Sequence, residues 1–561
     1  MKLPLKVLIL AASGLIISGT SAIKGQYHNH KEIISNIRSL AAKHPSICSA
    51  TTLVKTEGGK EILALTIGSG DKDNKPGIAV IGGVSGSHPA GRQLALGFAS
   101  NLLENASADE IKSLLGKVTF YVIPDLTPDA AEQYFLDIKY ERYGNARKVD
   151  DDRDFRLEED PAEDLNKDGY ITLMRVSDPA GTYIESKEDK RIMVTADLSK
   201  GEKGTYFIYT EGIDNDKDGK FNEDGEGGVN FNRNLSYNYE EFGANAGLHP
   251  VSEPETMALV DFLFDHYNIF ATFTFGPQDN LTQTARGGER APQAQGLQAQ
   301  SSQTEAEGQV RRMGSRKITS IQRTDEVVMK YASEKYREIT GLKGSPRSVS
   351  DAGNFADWAY YHYGRYSFST PGWWFPVERN TDPGLAFLKF AEEQGMKDVF
   401  VPWTEIEHPD FPGKKVEVGG IKPFVMNNPP ADNIDSLAET HYKFIVTMAE
   451  AHPELEFSDV NVEDEGEGIF RVTIKIHNSG IFATCAEAGQ NNIFTRLMRL
   501  SLETSKGQSL LSGQQVQRIP RITGDGVEEF SWLISGKGTL KITAGARSEE
   551  HTSELQSRQS I

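Results

Sequence analysis

Three short, mostly apolar segments set the fold class. Residues 78–81, 118–123 and 269–275 are too short for buried helices and do not alternate between polar and apolar positions. They read as strands covered on both faces. Stretches with helical spacing lie among them. Leu94, Phe98 and Leu102 line one face after Pro89, and residues 253–264 form a second such stretch. Upstream, Ile33, Ile34, Ile37 and Leu40 predict a helix over 30–45, and residues 62–67 predict a further strand. Alternation of this kind predicts an α/β domain on a mixed, mostly parallel sheet flanked by helices.

The character of the chain changes after about residue 455. Phe470, Val472, Ile474 and Ile476 alternate with Arg471, Thr473 and Lys475, as in a half-buried strand, and β-like runs follow near 494–502, 528–534 and 538–544. A small, truncated β-sandwich is expected over 454–546. From residue 547 the string resembles the conceptual translation of a sequencing adapter, so 547–561 is set aside as an artefact tail. The main domain is expected over 23–453, with an acidic insertion at about 140–230. A mobile loop rich in Gln, Ala, Gly and Ser is expected at about 285–317.

The first 22 residues read as a signal peptide. Lys2 and Lys6 make a basic head, 7–17 is an apolar run too short to cross a bilayer, and Thr20, Ser21 and Ala22 suit cleavage. No later segment is apolar enough for a membrane anchor. The expected location is therefore secreted or periplasmic. A net charge of −20 argues against nucleic acid or an anionic membrane as partner. The two cysteines, Cys48 and Cys485, exclude a disulfide framework.

The turn after the strand at 78–81 reads Gly82-Gly83-Val84-Ser85-Gly86-Ser87-His88-Pro89-Ala90-Gly91-Arg92. With its strand–turn–helix setting it resembles the zinc-binding turn of the M14 carboxypeptidases, G-x-H-G-x-E-x-x-G. Asn232-Arg233-Asn234, Ser252-Glu253-Pro254-Glu255-Thr256 and the segment around Asp357-Trp358 resemble further family motifs in the same order. The resemblance covers about residues 25–450 and implies the zinc carboxypeptidase fold, a catalytic zinc and a peptide substrate.

Position by position, the resemblance also implies that the chemistry is missing. A catalytic zinc needs three ligands from His, Asp, Glu or Cys and an open position for water, with a carboxylate nearby as base. The first ligand falls on Ser85, the second on His88, the third on or next to Phe273, and the base on Pro371. Of these, only His88 can bind a metal. Asn232 and Arg233 match the pair that grips the substrate's terminal carboxylate, for which the planar Arg fork is suited. Pairing of Arg233 with an acidic side chain of the insertion is the competing reading. Arg175 weakly matches a second family arginine.

Two acidic loops carry oxygen ligands at positions one, three and five with Gly at six: Asp164, Asn166, Asp168 and Asp214, Asp216, Asp218. That spacing suits calcium, although neither loop has a Glu at position twelve. Solvated Asx turns are the alternative. Around the lost base, Trp358, Tyr360, Tyr361, Tyr363, Tyr366, Trp373 and Trp374 read mostly as core, with Phe273, Pro371 and Trp373 able to make the cleft apolar. The leading expectation is an exported, inactive carboxypeptidase-like protein that binds a peptide or peptidoglycan-like ligand through Arg233. A hydrolase with a non-standard metal site and a scaffolding protein are the alternatives.

Overall fold

A computed structural model describes residues 25–545 except 150–156, 159, 218, 220, 222–227, 284–317, 348, 350–351, 491 and 493–494, together with the short strand Gln559–Ser560. The stretches expected as a signal peptide (1–22) and a mobile loop (about 285–317), Asp218, and most of the expected tail at 547–561 lie outside the described residues.

Helix α1, His30–Lys43, starts in a capping box: the Asn29 side chain accepts the Glu32 N–H, and Glu32 accepts the Asn29 N–H. It buries Ile33, Ile34, Ile37 and Leu40, the stripe its spacing predicts. Strands β1 (Cys48–Lys55) and β2 (Glu61–Ile67) form a hairpin. β3 (Gly77–Ile81) leads into helix α2 (Pro89–Glu104), and β4 (Thr119–Ile123) follows. The first sheet runs β1-β2-β4-β3, then Ile269–Phe275, then Tyr366–Thr370. β3 is parallel to β4 and to Ile269–Phe275, which is parallel to Tyr366–Thr370. β1, β2 and β4 pair antiparallel. The sheet is mixed and flanked by helices, as the sequence predicts.

Both faces are covered. Phe98, Leu102, Phe273, Phe444 and Met448 belong to one apolar cluster, and Ile81, Tyr121, Phe231, Leu259 and Trp358 to another. Each such side chain contributes roughly 1.5–3 kcal/mol through its burial. The four parallel strands end at Ile81, Ile123, Phe275 and Thr370, so their exits gather along one edge, where α/β sheets hold ligands.

The acidic stretch at 140–230 does more than loop out. It supplies Leu173–Ser177, Tyr183–Glu185, Met193–Thr195 and Tyr206–Thr210 to a second six-stranded sheet, completed by Phe400–Ile406 and Val416–Ile421. Every pairing in that sheet is antiparallel, around Met174, Val176, Val416 and Val418.

Two four-stranded antiparallel sheets form the C-terminal part, with Val472, Ile474, Ile476, Leu502, Trp532 and Ile534 in their shared core. Gln559–Ser560 pairs with Lys541 and Ile542 there. This part is joined to the first by Asp325. Its carboxylate is fully buried and accepts the N–H groups of Glu487 and Ala488, the Tyr360 hydroxyl and the Arg521 guanidinium at 3.0 Å. Asp325→Ala would leave Arg521 buried without its counter-ion. It is expected to cost about 3–5 kcal/mol in a urea titration and to expose the C-terminal sheets to protease first.

Candidate functional site

The turn at 82–88 is built around glycine. A Cβ at Gly82 would lie 2.3 Å from the Gly91 carbonyl oxygen and 2.8 Å from that of Pro124. Gly83 follows at φ +64°, in the left-handed region that favours glycine. The turn is thereby pressed onto α2, and Val84, Ser85, Ser87 and His88 are buried. Asn428 clamps it: its side chain accepts the Ala90 N–H at 3.0 Å and donates to the Ser87 carbonyl at 3.0 Å. It so serves an orphan donor of the helix's first turn, where His88 at the N-cap makes no side-chain cap.

His88 Nε2 lies 3.0 Å from the Pro371 carbonyl oxygen. A carbonyl only accepts, so the ring carries its proton on Nε2. Nδ1 has no partner, and it faces Gly91, where a Cβ would approach to 2.9 Å. Burial pushes the His88 pKa down to about 4, so the ring is neutral near pH 7.

The segment after Tyr366–Thr370 is locked by a directed chain of hydrogen bonds. Gly372 N–H donates to Thr370 Oγ1 at 3.0 Å, which lies 2.8 Å from the Tyr336 hydroxyl, itself 3.1 Å from His441 Nε2. His441 Nδ1 donates to the Leu437 carbonyl at 2.7 Å, so Nε2 accepts from Tyr336, and Tyr336 accepts from Thr370. His441 is also pushed down to about 4 by burial.

The third-ligand position requires a correction. Phe273 pairs in register with Val80, before the strands end. Its ring stacks on Phe368 at 5.0 Å and meets Phe444 edge-on at 5.8 Å, inside the core. The residue that faces the turn is Gly276: its N–H bonds the Thr370 carbonyl, and a Cβ on it would lie 2.4 Å from Val84. Trp373 is likewise not a cleft wall. It packs with Phe375, Phe390 and Phe387 in a separate apolar cluster.

These residues do not fit zinc. The Ser85 hydroxyl bonds Ser87 at 3.1 Å, His88 Nε2 bonds a carbonyl, Gly276 has no side chain and Pro371 has no carboxylate. Among the described residues no group of three or more His, Cys, Asp or Glu side chains is placed to hold a metal ion.

Asn232 and Arg233 lie in the short turn Phe231–Arg233. Asn232 donates to Gln278 at 3.1 Å and accepts the Phe355 N–H at 3.1 Å, tying the exit of Ile269–Phe275 to the helix Phe355–Tyr361. The Arg233 guanidinium donates to the Ala244 carbonyl at 2.9 Å and to Glu240 at 3.3 Å, while its buried Nε has no partner. Arg175 is elsewhere. It belongs to the second sheet, where it binds Glu417 at 2.9 Å and Glu185 at 3.1 Å with its guanidinium over Trp403. Its Nε and Nη1 are held there by carboxylates, in a sheet separate from the one whose strands end at the turn.

In the first acidic loop, Asp164 accepts the N–H groups of Asp168 and Gly169, Asn166 accepts that of Asp168, and Asp168 accepts that of Tyr170. These are Asx-turn bonds. In the second loop, Asp214 Oδ2 accepts the Gly219 N–H at 3.0 Å, and Oδ1 is buried without a hydrogen-bond partner among the described residues. Asp216 is described and Asp218 is not. Gly276, Gln278, Asn428 and His441 escaped the sequence reading. Gly276 was within reach, since it follows the strand directly. The others carry no local pattern.

A family model described as zinc carboxypeptidase matches residues 33–372, and the chain belongs to that family. A domain of unknown function matches residues 454–554. Carboxypeptidase E of Caenorhabditis elegans is 26% identical over 113 residues, 19% of this chain and 24% of that protein. Carboxypeptidase D of Rattus norvegicus is 28% identical over 149 residues, 25% of this chain and 11% of that protein. The matches thus span a quarter or less of these relatives. Among solved structures, thrombin activatable fibrinolysis inhibitor is 12% identical, with 77% of this chain and 75% of that chain covered and a TM-score of 0.40. A metallo-carboxypeptidase from Burkholderia cenocepacia is 10% identical, with 75% and 69% covered and a TM-score of 0.33.

Two of the buried histidines, His88 and His441, make stability depend on pH. Their folded pKa near 4 lies below the ordinary 6.5, so between these values the unfolded chain binds more protons. Stability is full above about pH 6.5 and falls as pH drops toward 4, by at most about 3 kcal/mol per histidine. His88→Gln, which keeps a donor toward the Pro371 carbonyl, is expected to flatten part of that fall in urea midpoints measured at pH 7 and pH 4.5. An unchanged slope would contradict the assignment of His88 as a neutral buried ring.

Proposed function

We propose that this chain is an exported carboxypeptidase-like binding protein. It holds a peptide or cell-envelope ligand by a terminal carboxylate and does not cleave it. The observation that carries this reading is the donor set at the turn: Ser85, His88, Gly276 and Pro371 offer neither three zinc ligands nor a base. Asn232 and Arg233 remain. Arg233 is 28% exposed, and its fork rests on Glu240, which is 57% exposed. Glu240 does for that fork what a ligand carboxylate would do. An ion pair this open to water is worth about 0–1 kcal/mol, so an incoming carboxylate can displace it. No helix among the described residues is long and apolar enough to cross a membrane.

The test pairs metal content with binding. Purified protein is expected to hold no stoichiometric zinc and to release no C-terminal residues from peptides. A peptide with a free C-terminus should bind more tightly than its amide. Arg233→Ala should abolish that preference, and Glu240→Gln should strengthen binding about two- to fivefold. Chelator-sensitive release of C-terminal residues would establish the hydrolase instead. Indifference to Arg233→Ala would favour the scaffold.

We further propose a structural calcium ion at the second acidic loop, motivated by the buried Asp214 Oδ1, which has no hydrogen-bond partner among the described residues. Calcium is expected to raise the unfolding temperature by a few degrees over EGTA, roughly the effect of 1–2 kcal/mol of linked binding. Asp214→Asn should remove the difference. A calcium response that persists in Asp214→Asn would place the ion elsewhere.

A further inference from the structure

The chain carries a net charge of −20, yet one of its grooves is basic. Between α1 and the β1–β2 hairpin lies a space of about 570 Å³. Lys31, Arg38, Lys55 and Lys60 line it together with a single carboxylate, Glu61. That carboxylate is shared, lying 2.6 Å from Arg38 and 4.0 Å from Lys55. Lys31 forms no ion pair among the described residues. Four cations thus line the groove with one half-buried acid, and a second acid, Asp129 outside the lining, pairs with Lys60.

The groove is also pre-organised. Asp129, buried beneath the hairpin, accepts the Thr56 hydroxyl at 3.0 Å, the Gly58 N–H at 3.1 Å and the Lys60 ammonium at 3.1 Å. One carboxylate thus sets both the hairpin and the lysine that projects from it. Ile34 and the lysine stems supply apolar walls. His30 also lines the groove, its ring 2.8 Å from Asp125.

A concave excess of cations on a chain whose overall charge repels anions focuses the field locally, and ammonium and guanidinium groups bind oxyanions well. No Phe, Tyr or Trp lines the groove, so it offers no platform for a stacked base. Its volume lies in the range of small-ligand sites, about 300–1,000 Å³. We propose that this groove binds a small, non-aromatic compound carrying two or more phosphate or sulfate groups. The site shares no residue with the zinc turn or with Arg233 and does not depend on the peptide-binding reading.

Isothermal titration of the intact protein with tripolyphosphate and with a fully sulfated disaccharide tests it. One-site binding of either probe is expected at low salt, and the stronger probe names the oxyanion. The Lys31→Glu/Lys55→Glu variant changes two exposed side chains and leaves the Lys60–Asp129 pair in place. It should bind about tenfold more weakly or worse, with an unchanged circular dichroism spectrum and unfolding temperature. Absence of saturable binding by both probes would overturn the proposal. So would binding indifferent to the double variant, or tighter binding of a DNA oligonucleotide that the double variant also abolishes.

Discussion

The close approach of Gly82 to Gly91 organises the strand exits. With no Cβ at Gly82, the end of β3 rests directly on the first turn of α2. Gly91 in turn lies so near Ile269–Phe275 that a Cβ there would be 2.5 Å from the Phe275 carbonyl oxygen. Three elements thus meet backbone to backbone at this edge. His88 is caught in this contact, with one ring nitrogen on the Pro371 carbonyl and the other against Gly91.

Hydrogen-bonding capacity along this edge is turned inward. A catalytic centre keeps donors and acceptors aimed at a substrate, and burial makes each unpaired one costly. Here the chain Gly372–Thr370–Tyr336–His441 holds a turn against a helix, and Asn428 holds the opposite turn. Nearby, Glu253 and Glu255 are buried against Asn145, with Arg147 on Glu253. Burial without a cation of its own pushes Glu255 up to about 7. Thr370, Tyr336, His441 and Asn428 are thus accounted for by packing, while Glu255 Oε2 and His88 Nδ1 stay without a hydrogen-bond partner among the described residues. Arg233 differs, because its partner Glu240 stands in water.

Charge is distributed unevenly over the molecule. Carboxylates concentrate in the second sheet and its loops, where Arg175 is held by Glu417 and Glu185. Lys31, Arg38, Lys55 and Lys60 line the groove between α1 and the hairpin. Net charge alone argued against anionic partners, yet net charge is a sum and a groove responds to its own walls.

Much of the framework was legible in the chain itself. The apolar runs at 78–81, 118–123 and 269–275 became parallel strands, because a strand buried on both faces needs apolar residues at every position. The glycines of the turn and the absence of ligands at Ser85 and Pro371 were readable from spacing against a family pattern. What tertiary structure alone decided was geometry between distant segments. It moved the third position from Phe273 to Gly276, since strand register and not sequence spacing fixes which residue reaches the turn. It also placed Arg175 in a sheet whose short strands lie among charges and show no period. Asn428 acts on a turn 338 residues away in sequence, and His88 on a carbonyl 283 residues away. Periodicity and motif spacing are local signals, and partners so far apart meet only once the chain has folded.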